Sequence, residues 1–178
     1  MLAFALIALA LASLQGTADP SLFNYDAALP LDVRETNRRE DNGVLLRDVT
    51  YRALTGGNNA ATLISPKTPS AKPAPAILFV HWYGPPAPTS NRTQFIPDAV
   101  ALARQGVTSL LIDTPWSEPK WFPTRKGEED YTRSVQQVRD LRRALDVLLA
   151  QPGIDRTRVA YVGHDFVAMY GTLGVVVD

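Results

Sequence analysis

The sequence predicts an α/β fold, a mostly parallel sheet with helices on both faces behind an N-terminal antiparallel hairpin. Three observations carry that prediction. Ala76–Val80 is an unbroken apolar run, the pattern of a strand buried on both faces of a parallel sheet, and Val107–Ile112 reads as the next such strand. The segments between and after them place apolar residues at helical spacing. Short connections then make strand and helix alternate, as crossovers in such a sheet require.

Composition fits one globular domain. Of the 178 residues 46% are hydrophobic and 20% charged, enough apolar surface for a sizeable core. Eighteen basic and eighteen acidic side chains leave no net charge, so nothing points to a nucleic-acid or polyanion partner. Cysteine is absent, which excludes disulfides, thiolate metal sites and a thiol nucleophile together.

Taken in order, the chain opens on an apolar run from Met1 to Leu14 that ends on small residues at Ala18. This reads as a signal peptide over residues 1–18, giving an exported protein, periplasmic or secreted, with Asp19 as its new terminus. An N-terminal anchor or a buried first helix is the competing reading, because no Lys or Arg precedes the run. It is shorter than the ~20 apolar residues of a membrane span, so no stable span is expected after processing. Residues 19–43 are mixed and turn-rich, with a charged cluster at Arg34–Asp41, and read as a mobile lead-in with one short helix. The α/β domain occupies residues 44–178.

Val44–Tyr51 partly alternates and is rich in strand formers, and Gly56-Gly57-Asn58-Asn59 makes a turn before Ala60–Ile64. Together they predict the hairpin. Pro66, Pro69, Pro73 and Pro75 form an extended connector to the first buried strand. A helix is expected from Thr93 to Gln105, with Phe95, Ala99, Leu102 and Ala103 near one face and Gly106 at its end. The segment Thr114–Glu129 carries Trp116, Trp121 and Phe122 among prolines; a loop that long with clustered aromatics reads as functional. Val135, Val138, Leu141, Leu145 and Leu148 form the stripe of a helix from Asp130 to Ala150, arginines opposite and Pro152-Gly153 terminating it. A strand over Val159–Val162 follows. Phe166, Met169, Tyr170 and Leu173 fall at helical spacing after it and read as core packing.

The last strand and helix flank Gly163-His164-Asp165-Phe166, the layout of a nucleophile elbow. In such an elbow a sharp turn lifts the central side chain, here Asp165, above the strand ends, and the next helix points free N–H groups at it. The second glycine of the pattern is replaced by Val167. Asp165 also reads as the N-cap of the helix, a role worth ~1 kcal/mol.

The order of hairpin, strand ending in His81, helix, strand ending in Asp113, helix, strand and Gly-His-Asp-Phe resembles the alpha/beta-hydrolase superfamily, from about Val44 onward. The exported, short core is similar to dienelactone hydrolase-like esterases, whereas aspartate in the elbow is similar to haloalkane dehalogenases and epoxide hydrolases. The resemblance implies that Asp165 is a nucleophile. A carboxylate displaces a leaving group from saturated carbon to form an alkyl ester, which activated water then hydrolyses; a serine would suit acyl transfer. It further implies an oxyanion site made by the backbone N–H of Phe166 and that of Trp82 or Tyr83, with Trp82 standing where the family usually has glycine. His81 itself reads as a structural histidine bonded to nearby backbone. Trp116, Trp121 and Phe122 are the expected substrate-binding surface.

The family takes its triad acid and histidine from loops beyond the elbow helix. Here the two histidines are His81 and His164, both in scaffold positions, and Asp113 is the sole stand-in for the acid. Three readings follow: a hydrolase of small ester, halide or epoxide substrates that is an incomplete form and inactive as this chain; a silent small-molecule-binding module; or a half-sheet completed by self-association through an unpaired edge. No metal or cofactor is expected.

Overall fold

The computed structural model of the chain describes residues 19–84 and 87–177. The expected signal peptide lies outside the described residues, and no described helix is long and apolar enough to cross a membrane. Six strands form one sheet: β1 (Arg34–Asp41), β2 (Val44–Arg52), β3 (Asn58–Pro66), β4 (Ala74–Val80), β5 (Thr108–Ile112) and β6 (Ile154–Val162). Their spatial order is β1-β2-β3-β5-β4-β6. The first three and β5 pair antiparallel in turn, while β5, β4 and β6 run parallel with β4 between the other two. Helices α1 (Ile96–Ala103), α2 (Asp130–Leu149) and α3 (Phe166–Val177) complete the frame.

The apolar strands are buried on both faces, as their composition requires. Leu78, Val80, Leu110 and Ile112 pack with Val138, Leu141, Val147 and Leu148 of α2. Phe79 and Leu111, one residue out of phase, pack on the opposite face with Ala99, Val100 and Ala103 of α1. The period-two alternation of strands thus feeds two cores from one run. Each such side chain, fully buried, contributes about 1.5–3 kcal/mol.

Several expectations need correction. The first helix begins at Ile96 rather than Thr93, with Phe95 as its N-cap. Pro97 explains this: inside a helix it would clash with the carbonyl of Thr93, whereas in the first turn it is tolerated. The lead-in contains a strand, β1, whose eight residues are all exposed. Its sequence has no apolar alternation to reveal it, because neither of its faces is buried. Ion pairs such as Arg39 to Asp48 at 3.2 Å and Lys67 to Glu40 at 2.9 Å decorate it, and a charged edge discourages further strand pairing.

The rest of the lead-in is strapped to α2 instead of mobile. Arg139 donates to the Leu22 carbonyl at 2.6 and 3.0 Å, Arg142 to Phe23 at 2.8 Å, and Arg143 to Leu29 and Pro30 at 2.8 and 2.7 Å. The Tyr25 hydroxyl donates to Asp146 at 2.7 Å. Arg143 is consequently 1% exposed, so the arginine face of α2 is not the solvent face its sequence suggests.

The phase of α3 also differs. Val167 and Tyr170 are buried, whereas Met169 is 57% and Leu173 39% exposed. This helix is apolar all round, so its periodicity does not select a face. The neighbour that does is Tyr161 of β6, whose ring lies where a Cβ on Gly171 would sit only 2.1 Å from Cε1.

Candidate functional site

The C-terminal ends of β4, β5 and β6 lie side by side, the place where open α/β sheets bind ligands. From β4 the chain enters His81-Trp82-Tyr83-Gly84. His81 is 1% exposed and uses both ring nitrogens. Its Nδ1 lies 2.8 Å from the Trp82 carbonyl oxygen; that oxygen only accepts, so Nδ1 carries the proton. Nε2 therefore accepts from the hydroxyls of Thr114 and Ser117, at 2.8 and 2.9 Å. Burial pushes the His81 pKa down, against smaller opposing effects of its bond to Trp82 and of Asp113, so the ring is neutral. The structural reading of His81 agrees with this geometry.

The same loop is clamped at three further points. Ser90 Oγ donates to the Trp82 carbonyl at 3.1 Å and accepts from the Gly84 N–H at 3.1 Å. The Trp82 N–H donates to Gln94 Oε1 at 2.9 Å. That bond occupies the Trp82 N–H, whereas the Tyr83 N–H has no hydrogen-bond partner among the described residues. Neither Ser90 nor Gln94 carries a sequence signal, since both act through side chains that only the fold brings to this loop.

At the end of β5, Asp113 pairs with the Arg92 guanidinium and accepts the Arg92 backbone N–H at 2.8 Å. It therefore orders the segment before α1 and has no histidine partner. Trp116, in the following turn, is 1% exposed, and its Nε1 donates to the His81 carbonyl at 2.9 Å. Its place is in the core, under the other aromatics. Trp121 and Phe122 stand nearer the surface with Tyr83, whose ring lies 5.9 and 5.4 Å from theirs, and Phe122 is 48% exposed. Tyr170 of α3 joins from below, 6.3 Å from Trp116.

From β6 the chain turns through Gly163 and His164 to Asp165. A Cβ on Gly163 would lie 2.9 Å from both Tyr161 and Val167, so glycine is required there. Asp165 has φ of 65°, a left-handed conformation that costs most L-residues 1–2 kcal/mol and aspartate less. Its side chain is exposed, and α3 starts at the next residue. The capping alternative is not what the carboxylate does: it receives no bond from the Val167 or Ala168 N–H, and the Ala168 N–H goes to the Asp165 backbone carbonyl at 3.0 Å. Phe166 opens the helix, where the first N–H groups lack intrahelical partners. The close helix–strand approach expected of a second elbow glycine occurs at Gly171 instead, one turn beyond buried Val167.

His164 and Trp82 meet edge to face, ring centroids 4.6 Å apart, and so join the elbow to the loop after β4. The expected nucleophile position, loop donor and aromatic surface thus share one rim. Among the described residues no cluster of three His, Cys, Asp or Glu side chains is placed to hold a metal.

No protein-family model and no curated protein matches the sequence. Solved structures do resemble it. An acetyl xylan esterase from a Paenibacillus species aligns at 18% identity and TM-score 0.65, over 89% of this chain and 52% of its own. Acetyl xylan esterase 1 from a Thermoanaerobacterium species gives 15% and 0.65, over 88% and 52%. A dienelactone hydrolase-like promiscuous phosphotriesterase from metagenomic libraries gives 18% and 0.55, over 75% and 54%. The chain has the alpha/beta-hydrolase fold and spans about half the length of these structures.

Proposed function

We propose that this chain carries the nucleophile and oxyanion side of a hydrolase for small ester, halide or epoxide substrates. The observation that carries the reading is Asp165, held at φ of 65° between β6 and α3 with its carboxylate exposed and not engaged in capping. In the first step a carboxylate oxygen attacks the substrate carbon, the new C–O bond forms, and halide or the epoxide oxygen leaves with the bonding electrons. In the second, water adds to the Asp165 carboxyl carbon, and the N–H groups of Tyr83 and Phe166 face the oxyanion that develops. The esterases among the similar structures support an acyl substrate as the other class.

Adding that water needs a base. His81 is buried with both nitrogens occupied, and His164 is packed edge-on against Trp82. Neither histidine is placed as that base among the described residues, so this reading expects the alkyl-enzyme to accumulate. Incubation with a reactive alkyl bromide followed by intact-mass measurement tests this. One persistent adduct, absent from Asp165→Ala, is expected; no adduct, or equal labelling of the variant, overturns the nucleophile role.

A second reading rests on the Tyr83, Trp121 and Phe122 surface, with Arg125 placed 4.6 Å over the Phe122 ring: a binding module without turnover. Ligand-dependent tryptophan fluorescence without product is its sign. Self-association is the third. Among the described residues β6 pairs with β4 alone and ends the sheet, and an open edge invites pairing; light scattering that shows a monodisperse monomer removes this reading. Export is tested by N-terminal sequencing of the secreted protein, with Asp19 expected first.

A further inference from the structure

A cleft of about 290 Å³ opens where the start of β3, the end of β5 and the first half of α2 meet. Trp116 is the one residue it shares with the aromatic cluster beside the elbow. Tyr51, Asn59, Asp113, Gln137 and Asp140 also line it, and no lysine or arginine does. Asp113 is already matched by Arg92. Asp140 has no such match: its Oδ1 accepts from Gln136 Nε2 at 2.9 Å, and its Oδ2 has no partner among the described residues. Arg139, its neighbour in sequence, turns its guanidinium to the Leu22 carbonyl at 2.6 Å. Gln137, three residues before Asp140 on the same helix, is only 5% exposed, and its buried Oε1 has no hydrogen-bond partner.

A buried carbonyl oxygen without a donor and a half-buried carboxylate without a direct ion-pair partner among the described residues are both unfavourable, and native structures rarely leave either unexplained. Burial pushes the Asp140 carboxyl up to about 6, only partly offset by its bond from Gln136 and by the charge of Arg139. One group answers both deficits. We propose that this cleft binds a small molecule through a primary ammonium, which donates to Asp140 Oδ2 and Gln137 Oε1. A hydroxyl would supply donors but leave the carboxylate charge unmet. A hard metal ion asks for six or more oxygen ligands, and among the described residues no three His, Cys, Asp or Glu side chains are grouped to hold one. The site is independent of the Asp165 reading, because no residue of the elbow lines it.

The test is calorimetric titration of the full chain at pH 8 with propylammonium chloride, with 1-propanol and tetramethylammonium chloride as comparison ligands. Propylammonium is expected to bind saturably, and the alcohol and the donorless tetramethylammonium at least tenfold more weakly. Asp140→Asn and Gln137→Met, both close in shape to the native side chains, should each weaken propylammonium at least tenfold. Asp165→Ala should bind it like the native chain, whatever becomes of the alkylation experiment. Absence of saturable binding, equal binding of tetramethylammonium, or unchanged affinity in both cleft variants overturns the proposal; should one cleft variant not fold, the other decides.

Discussion

The loop after β4 and the elbow after β6 touch at Trp82 and His164, yet they are held in different ways. The loop is fixed by side-chain hydrogen bonds from His81, Ser90 and Gln94, and its one free N–H is that of Tyr83. The elbow is fixed by shape. Glycines at 163 and 171 let the Tyr161 ring lie under α3, its hydroxyl donates to the Val167 carbonyl at 2.9 Å, and a left-handed Asp165 completes the turn. Preorganised donors need many polar anchors, because a backbone N–H is aimed only by what holds its neighbours. A nucleophile needs to be lifted clear of its surroundings, and steric constraint does this without touching the carboxylate.

The comparison breaks first at Gly171. Adding one methyl, Gly171→Ala, should cost about 3 kcal/mol in denaturant unfolding, the upper range for overpacking, and Tyr161→Leu in the same chain should restore about half. An additive double variant would show that the Tyr161 ring does not set the helix position. On the loop side, His81→Leu leaves the hydroxyls of Thr114 and Ser117 without their acceptor in a buried setting. The expected loss is about 2–3 kcal/mol, and a loss no larger than a surface substitution would mean that the clamp is not built on His81.

A smaller effect separates strain from packing. Asp165→Gly should be more stable than Asp165→Ala by about 1 kcal/mol, since only glycine adopts positive φ freely; equal stabilities would remove the strained elbow. The smallest is a slope. The His81 pKa is lowered in the folded chain by burial, so below about pH 6.5, the ordinary histidine value, the unfolded chain binds a proton that the folded chain does not. Stability therefore falls as pH drops through that range. In His81→Leu the fall between pH 7 and 5 should be shallower, and an identical slope would place the effect elsewhere.

Much of this was legible in the residues. Five consecutive apolar positions at 76–80 in β4 announce a strand buried on two sides, and Gly163 to Phe166 announces the elbow after β6. Where reading failed, the deciding interaction was made with a distant partner. Charged β1 read as part of a mobile lead-in because it buries no apolar face and is held by its ladder to β2 and by surface ion pairs. The arginines of α2 looked solvated because their acceptors are carbonyls at positions 22 to 30, more than a hundred residues away. Trp116 was expected at a substrate-binding surface because it shares a segment with Trp121 and Phe122, whereas its bond to the His81 carbonyl holds it in the core.

Periodicity and composition by themselves determined the class of fold and which stretches form its buried strands, and the Gly163 to Phe166 motif placed the elbow. Those depend on local pattern, which a chain carries wherever it folds. Tertiary structure alone decided that Tyr83 rather than Trp82 keeps a free N–H, that Asp165 does not cap its helix, and that Gln137 and Asp140 face one cleft. Hydrogen-bond partners and burial are properties of pairs brought together by the sheet, and no single stretch of sequence contains both members.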